Sequence, residues 1–222
     1  MIETLKIISR RRAELARRLR PDANLSALEE SCVPSYCHSN VLAAGVAWLR
    51  LERVAALCRA RGGYEPMLDF GSATGEIAHL LGGVGDYHFV EADDALAAAL
   101  VEWNPAAQRE TLERLPAKHF RTVLALDSLE HNDDVGAIVR LLAASLRDDG
   151  ELVVSGPTET PLYRFGRRIA GFGGHYHKQT VYGVEAAVAE VLEPVRVLRI
   201  PPVTPLFRVS VWRPRPPACN DR

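Results

Sequence analysis

The sequence of 222 residues predicts an α/β fold built on a parallel, doubly wound sheet, and three observations lead to that prediction. Apolar runs of strand length alternate with helical patterns from about residue 66 onward. A loop with two glycines follows the first run, and acidic residues stand where several runs end. Strands that alternate with helices form parallel sheets, because a parallel pair needs a long crossover connection.

Helical patterns come first along the chain. Residues 2–20 carry apolar side chains at helical spacings, and Pro21 ends this predicted helix. A turn-rich connector over residues 22–40 leads to a second, longer helix over residues 41–61, which a Gly-Gly pair ends. These two helices predict a helical extension in front of the sheet.

The strand-like runs lie near residues 67–70, 87–91, 108–112, 121–126, 151–155, 194–200 and 206–212. A short proline-rich link separates the last two runs, and it is too short to hold a crossover helix. We therefore expect these two strands to form an antiparallel hairpin. The predicted organisation is an N-terminal helical extension over residues 1–63, a core over residues 64–213, and a disordered tail over residues 214–222.

The most informative stretch is MLDFGSATGE, residues 67–76. An apolar run ends in Asp69, and Gly71 and Gly75 then open a loop onto a helical pattern. This order predicts a strand, a tight turn and a helix, with glycines where the backbone approaches a ligand. The second run ends in Glu91, a carboxylate placed to accept both hydroxyls of a ribose. The sequence thus predicts a nucleoside-binding sheet.

The loop chemistry narrows the class of nucleoside. A dinucleotide-binding loop has the pattern G-x-G-x-x-G, but Glu76 occupies the third glycine position here. A carboxylate there would repel a pyrophosphate, which argues against a nicotinamide-dependent oxidoreductase. Asp69 and Glu76 suit a cationic ligand better, such as the amino and sulfonium groups of S-adenosylmethionine.

The fourth and fifth strands add two further motifs. The fourth run ends in Asp127 and continues as SLEHNDD, and the fifth reads GELVVSGP over residues 150–157. With the glycine loop, these motifs resemble the class I S-adenosylmethionine-dependent methyltransferases, whose first motif is D-x-G-x-G-x-G. Ala73 replaces the middle glycine of that motif. Within the class, the chain is similar to small-molecule methyltransferases related to ubiquinone biosynthesis enzymes (methyltransferase type 11/12).

The resemblance covers roughly residues 64–213 and implies both a fold and an activity. The implied fold is a Rossmann-like, seven-stranded, mostly parallel sheet with an antiparallel C-terminal hairpin strand. The implied protein is an enzyme that uses S-adenosyl-L-methionine to methylate a small organic acceptor, at oxygen or at carbon. The candidate cofactor-binding residues are Asp69, Gly71, Gly75, Glu91 and Asp127. Asp127 lies at the strand edge where ligands bind, although it could instead cap the helix that follows.

The segment over residues 161–178 follows the fifth strand and bears on the acceptor. It combines an apolar stripe at helical spacing with four basic residues, no acid, and a glycine-rich turn before His175 and His177. One interpretation is an amphipathic helix with a solvated basic face. The other is a lid that attracts an anionic, lipid-linked or membrane-surface substrate. Tyr36 and His38 could close the same pocket from the opposite side.

Methyl transfer to a phenol, enol or hydroxyl requires a base, and histidine titrates in the suitable pH range. His175 and His177 are the first candidates for this role, and His131 is the second. The fourth strand ends in DSLE rather than the Asn/Asp-Pro-Pro-Tyr/Phe tetrapeptide of base-amine methyltransferases, which argues against a nucleic-acid substrate. A cofactor-binding protein without catalytic activity, acting as a sensor or partner subunit, is the alternative function.

Composition fits one soluble, cytoplasmic domain. The formal net charge of −1 gives no global attraction to nucleic acid or membranes, and no apolar run reaches the roughly 18 residues of a spanning helix. Four cysteines show no paired C-x-x-C spacing, so we expect free thiols. Cys32, Cys37 and His38 do not have the spacing of a familiar metal site, and no metal is predicted. The oligomeric state is left open.

Overall fold

The protein is described by a computed structural model that covers residues 2–19, 32–161, 163 and 178–216. Its centre is a seven-stranded sheet with the strand order β3-β2-β1-β4-β5-β7-β6. The first five strands are parallel to one another, and β7 lies antiparallel between β5 and β6. The predicted Rossmann-like fold with an antiparallel C-terminal hairpin strand is confirmed.

The strands are β1 (Met67–Phe70), β2 (Tyr87–Val90), β3 (Gln108–Arg109), β4 (Phe120–Leu126), β5 (Leu146–Pro157), β6 (Leu192–Ile200) and β7 (Phe207–Pro214). The helices are α1 (Ile2–Leu19), α2 (Val33–Cys37), α3 (Val41–Ala60), α4 (Glu76–Leu81), α5 (Asp94–Trp103), α6 (Val135–Ser145) and α7 (Val181–Val191). Two short 3₁₀ turns span Leu112–Arg114 and Leu129–His131. Among the helices in the described ranges, none combines the length and the apolarity that crossing a membrane requires.

Local sequence explains where several helices begin. The carboxylate of Asp93 accepts the amide protons of Ala95 and Leu96, which caps α5. Asp134 accepts the Ala137 amide at the start of α6, and the Thr180 hydroxyl accepts the Gly183 amide at the start of α7. Each cap satisfies an amide of the first turn that has no partner inside the helix.

Two strands differ from their predicted bounds by more than two residues. The third strand was expected over residues 108–112, but β3 has two residues, and a 3₁₀ turn follows it. Both residues of β3 are exposed. Because this strand buries no side chains, no apolar pattern in the sequence marks where it ends. The fifth strand was expected over residues 151–155 but already begins at Leu146, directly after α6.

Buried side chains form one hydrophobic cluster on each face of the sheet. Helices α1 to α5 cover the first face, where Leu15, Tyr36 and Trp48 share a cluster with Met67 and Phe89. Helices α6 and α7 cover the second face, with cluster residues that include Leu68, Phe120, Val139 and Val188. The N-terminal helices therefore contribute to the main core, while the domain bounds given above stay a prediction.

Candidate functional site

A cavity of about 460 Å³ opens at the carboxyl ends of β1, β2 and β4. This edge is where ligands bind in open α/β sheets, because the strand order changes direction there. Of the residues predicted from sequence, Asp69, Gly71, Glu91, Asp127 and His131 line the cavity. The edge of the sheet thus brings together residues from three separate segments of the chain.

Gly71 opens the loop after β1 in a conformation that suits glycine alone. Its φ is +71°, and a Cβ built there would lie 2.4 Å from the Cβ of Ser128. The loop that follows β4 therefore packs directly on the Gly71 backbone. The close approach at Gly71 is between two protein loops, and it shapes the floor of the cavity.

Gly75 also has a positive φ, of +76°, and caps the N-terminus of α4. Gly75 does not line the cavity. A Cβ at this position would lie 3.0 Å from the Trp103 ring and 3.1 Å from Leu100. Its geometry therefore permits the packing of the loop against α5.

Glu91 holds the glycine loop in place. One carboxylate oxygen accepts the Ala73 amide at 2.8 Å, and the other accepts the Asp93 amide at 3.0 Å. Ala73 has a φ of +47°, which is uncommon for a residue with a side chain, so the hydrogen bond stabilises a strained turn. Each oxygen keeps a second lone pair for a ligand hydroxyl.

Asp69 is almost fully buried and accepts a 2.6 Å hydrogen bond from the Tyr87 hydroxyl. Burial raises the pKa of Asp69 to about 7, although the Tyr87 hydrogen bond acts in the opposite direction. The nearby Glu76 and Glu91 carboxylates raise this pKa further. Asp69 is therefore poised to ionise near neutral pH when a cation comes beside it.

The structure corrects the expectation that the Glu76 carboxylate offers its charge to a cationic ligand. Its buried carboxylate is ion-paired with Arg11 of α1 at 2.9 Å and accepts the Thr74 hydroxyl at both oxygens. Arg11 is also buried, and it donates to the Thr74 carbonyl at 3.1 Å. Burial raises the pKa of Glu76, while Arg11 opposes that rise. Glu76 thus joins α1 to the glycine loop, and its charge is balanced within the protein.

Asp127 is ion-paired with Arg50, a residue of α3 that is 1% exposed. The Ser155 hydroxyl donates to the other Asp127 oxygen at 2.9 Å. Arg50 also donates to the Tyr36 hydroxyl at 2.9 Å. The predicted alternative, a helix cap, is not the role observed, because Asp134 caps α6. Asp127 has a φ of +53°, so a second strained residue faces the cavity.

The structure describes one of the three candidate bases and places it at the cavity. His131 lines the cavity at the end of the 3₁₀ turn that follows β4. Beside it, Glu130 is buried, and burial raises its pKa to about 7. His175, His177 and most of the predicted basic segment over residues 161–178 lie outside the described residues. Tyr36 lines the cavity, whereas His38 does not.

The cavity offers polar atoms that suit a nucleoside-type ligand. The hydroxyls of Ser72 and Ser128 are buried in its wall and have no hydrogen-bond partner within the described part of the chain. Buried hydroxyls are normally paired, so these two atoms are available to a bound molecule. The apolar side chains of Leu96, Leu112 and Ile138 line the same cavity. Such a mixture of apolar walls and a few polar atoms is typical of cofactor sites.

Two buried arginines in this region were not predicted from sequence. Arg11 and Arg50 lie on helices far from the loops that they contact, and Arg11 is 65 residues from Glu76 along the chain. The available signal was the position of each arginine on an otherwise apolar helix face. That signal cannot identify the carboxylate partner, because the partner comes from another segment.

Comparison with known proteins points to one family. A family model described as a methyltransferase domain matches residues 12–191, which is most of the chain. The match includes α1 from Arg12 onward, all of α3 and the five parallel strands. No curated protein sequence matches the chain significantly.

Several solved structures share the fold at low sequence identity. The PH0226 protein from Pyrococcus horikoshii is 14% identical with a TM-score of 0.62, over 78% of this chain and 92% of that one. Magnesium protoporphyrin IX methyltransferase from Synechocystis, solved with bound SAH, is 17% identical with a TM-score of 0.59, over 78% and 88%. The N-methyltransferase NodS from Bradyrhizobium japonicum is 14% identical with a TM-score of 0.59, over 78% and 98%.

Proposed function

The chain belongs to the methyltransferase domain family, and from this premise we propose that it methylates a small organic acceptor held beside Asp127. S-adenosylmethionine is the methyl donor and supplies an already activated methyl group. The observation that carries the proposal is the cavity itself, in which the glycine loop, Glu91 and Asp127 meet. Its volume of about 460 Å³ lies within the usual range of small-molecule sites.

The proposed roles on the donor side follow from the contacts. Glu91 accepts the ribose hydroxyls with its free lone pairs while it holds the loop through Ala73. Asp69 balances the positive charge of the donor, because a cation favours its ionised form. The Ser72 and Ser128 hydroxyls supply hydrogen bonds at the wall of the cavity.

On the acceptor side, the protein orients the acceptor and excludes water. Asp127 is held rigidly by Arg50 and Ser155, so it can position the reacting group. We propose His131 as a general base for an acceptor hydroxyl or enol, and His175 and His177 as further candidates on chemical grounds. The acid-free basic segment over residues 161–178 supports an anionic or lipid-linked acceptor, methylated at oxygen or at carbon.

The experiment has two stages. Calorimetry first measures S-adenosylmethionine and S-adenosylhomocysteine binding by the wild type, Glu91→Gln and the control Glu190→Gln, an exposed residue of α7. We expect Glu91→Gln to bind about ten- to hundredfold more weakly, since charge-assisted hydrogen bonds are worth about 1.5–3 kcal/mol. The control should bind like the wild type. Absence of binding by the wild type would overturn the choice of donor.

The second stage follows S-adenosylhomocysteine formation by mass spectrometry, with pools of phenols, enols and carboxylic acids as acceptors. Single-turnover assays with any methylated acceptor then compare the wild type with His131→Gln, His175→Gln and His177→Gln. The variant that lacks the base should lose about 10²–10⁴-fold in rate, with unchanged donor affinity. Tight donor binding without transfer to any acceptor would favour the alternative, a non-catalytic cofactor-binding protein.

A further inference from the structure

A cluster of metal-ligand side chains lies at the opposite edge of the sheet from the cavity. Asp86 and His88 stand at the start of β2, and His119 stands directly before β4. Because β2 and β4 are parallel, both begin at the same edge, and β1 lies between them. None of the three residues lines the cavity.

The geometry around His88 leaves a position for a cation. Its Nδ1 lies 2.7 Å from Glu110 Oε1, and its Nε2 lies 3.0 Å from Asp86 Oδ1. A neutral imidazole carries one proton, and donating it to Glu110 leaves the Nε2 lone pair facing a carboxylate oxygen. Gln108 Nε2 lies 3.4 Å from this nitrogen and can donate to it. A cation between Nε2 and the Asp86 oxygen, either a second proton or a metal ion, would satisfy both acceptors.

The position of His119 favours a metal ion over a second proton. One ligand atom each from Asp86, His88 and His119 lies within 4.8 Å of the other two. A shared proton is held by two atoms, whereas a metal ion gathers three or four. Donor atoms in a tetrahedral zinc site are about 3.4 Å apart, as bonds of about 2.0–2.1 Å require. Asp86 is 43% exposed and His119 is partly exposed, so both side chains are able to move inward.

Glu110 supplies the support that metal-binding histidines usually have. A ligating imidazole commonly donates its other N–H to a carboxylate, which fixes the ring and makes the ligating nitrogen more basic. The 2.7 Å contact between Glu110 and His88 has this arrangement. His88 is itself 8% exposed, so its ring is also held by packing.

We propose that Asp86, His88 and His119 bind a divalent transition metal of the zinc type, with Glu110 orienting His88. Two imidazoles and one carboxylate form a donor set that suits such ions better than Mg²⁺ or Ca²⁺, which prefer oxygen ligands. The ion would tie the beginnings of β2 and β4 together across β1. Its role is therefore structural and separate from the methyl-transfer site.

The test measures Zn²⁺ binding by chelator-treated full-length protein with calorimetry, and Co²⁺ binding by visible absorption. His175 and His177 stand two apart in sequence and could bind metal themselves, so every protein carries His175→Gln and His177→Gln. We expect one ion per chain and a Co²⁺ spectrum typical of nitrogen and oxygen ligands. At 100 times the Kd, Zn²⁺ should raise the Tm by about 5–10 °C.

Variants in the same background locate the ion. His119→Gln and Asp86→Asn, both at exposed or partly exposed positions, should weaken Zn²⁺ binding at least tenfold and so reduce the Tm shift by about half or more. Glu110→Gln should weaken binding about 10- to 100-fold. Asp149→Asn, an aspartate of β5 whose side chain is 55% exposed, should change nothing. Absence of binding, or equal binding by His119→Gln and its parent, would overturn the proposal.

Discussion

Asp69 is a carboxyl group that the fold shields from water at the point where the ligand cavity begins. Burial raises its pKa to about 7, whereas an ordinary aspartate has a pKa of 3.8. Between these two values the folded protein holds a proton on Asp69 that the unfolded chain has released. A cationic ligand at the cavity favours the ionised form, so ligand binding should displace this proton near neutral pH.

We therefore predict that the affinity for S-adenosylmethionine rises with pH through Asp69. If only ionised Asp69 supports binding, a pKa of about 7 gives about a tenfold stronger association at pH 8 than at pH 6. Calorimetry of the wild type and Asp69→Asn over this range checks the prediction. The ligand's own titration is common to both proteins, so their difference isolates Asp69. Equal pH dependence in the two proteins would show that Asp69 does not respond to the ligand.

Among individual residues, the positions of side chains at strand ends could be predicted best from the sequence. Asp69, Glu91 and Asp127 could be placed at one edge because parallel strands end at the same edge of a sheet. Their assigned roles as cofactor ligands stay predictions. The contacts with Arg11, Arg50 and Ser155 could not be predicted, since they join segments whose separation in sequence leaves no local pattern.

At the scale of the elements, the loop after β1 depends on the loop after β4. Gly71 combines a positive φ with a 2.4 Å approach of its would-be Cβ to Ser128. Gly82, at the end of α4, has a similar φ of +83°, and no atom of the described residues lies within 4 Å of a would-be Cβ. Substitutions at Gly71 and Gly82 therefore separate two free-energy costs: that of the backbone conformation and that of the steric overlap with Ser128.

Gly82→Ala should cost about 1–2 kcal/mol, which is the penalty of the left-handed conformation alone. Gly71→Ala should cost about 1–3 kcal/mol more, because Ser128 must move. The displaced Ser128 loop should also weaken S-adenosylmethionine binding in Gly71→Ala but not in Gly82→Ala. Urea unfolding and calorimetry provide both measurements. Equal stabilities for the two variants would mean that the β4 loop yields without strain.

A buried ion pair between Arg11 and Glu76 connects α1 to the glycine loop. The Arg11 and Glu76 side chains are 4% and 2% exposed, so neither charge is screened by water. Replacing Arg11 with methionine removes the cation. Among the residues that the structure describes, the buried Glu76 carboxylate then keeps only the Thr74 hydroxyl as a side-chain partner. Removing one member of a buried pair typically costs about 3–5 kcal/mol.

We predict a loss of this size for Arg11→Met in urea unfolding, together with weaker donor binding, since the loop loses its support. Arg10→Met, at an exposed position one residue away, should have little effect. The double variant Arg11→Met/Glu76→Gln should recover much of the stability, because the uncompensated charge is gone. A double variant as unstable as Arg11→Met would assign the loss to side-chain packing instead of charge.

The elements that sequence predicted well are those whose own side chains are buried. Strands β1, β2 and β4 show continuous apolar runs bounded by turn residues, and their bounds were found almost to the residue. The two-residue strand β3 was overestimated, because its exposed side chains give no periodic signal and its pairing with β2 defines it. Whether β3 forms therefore depends on its pairing with β2 and not on its own side chains.

At the scale of the whole molecule, the helical extension and the sheet share one hydrophobic core. Trp48, Leu51 and Val54 of α3 are each at most 2% exposed and belong to the same cluster as the sheet residues Tyr87 and Leu124. Burying three such side chains contributes about 5–9 kcal/mol in total. That amount is comparable with the entire stability of a typical domain, about 5–15 kcal/mol.

We therefore predict that the full chain unfolds in one cooperative transition, with equal calorimetric and van't Hoff enthalpies. A chain limited to residues 64–213 should show no cooperative transition and no donor binding, because it lacks α3 and leaves the first face of the sheet uncovered. A chain shortened at residue 216 is the matched control, since every core residue named above remains. Two separate transitions in the full chain, or a cooperative and ligand-binding 64–213 fragment, would instead make the helical extension a separable domain.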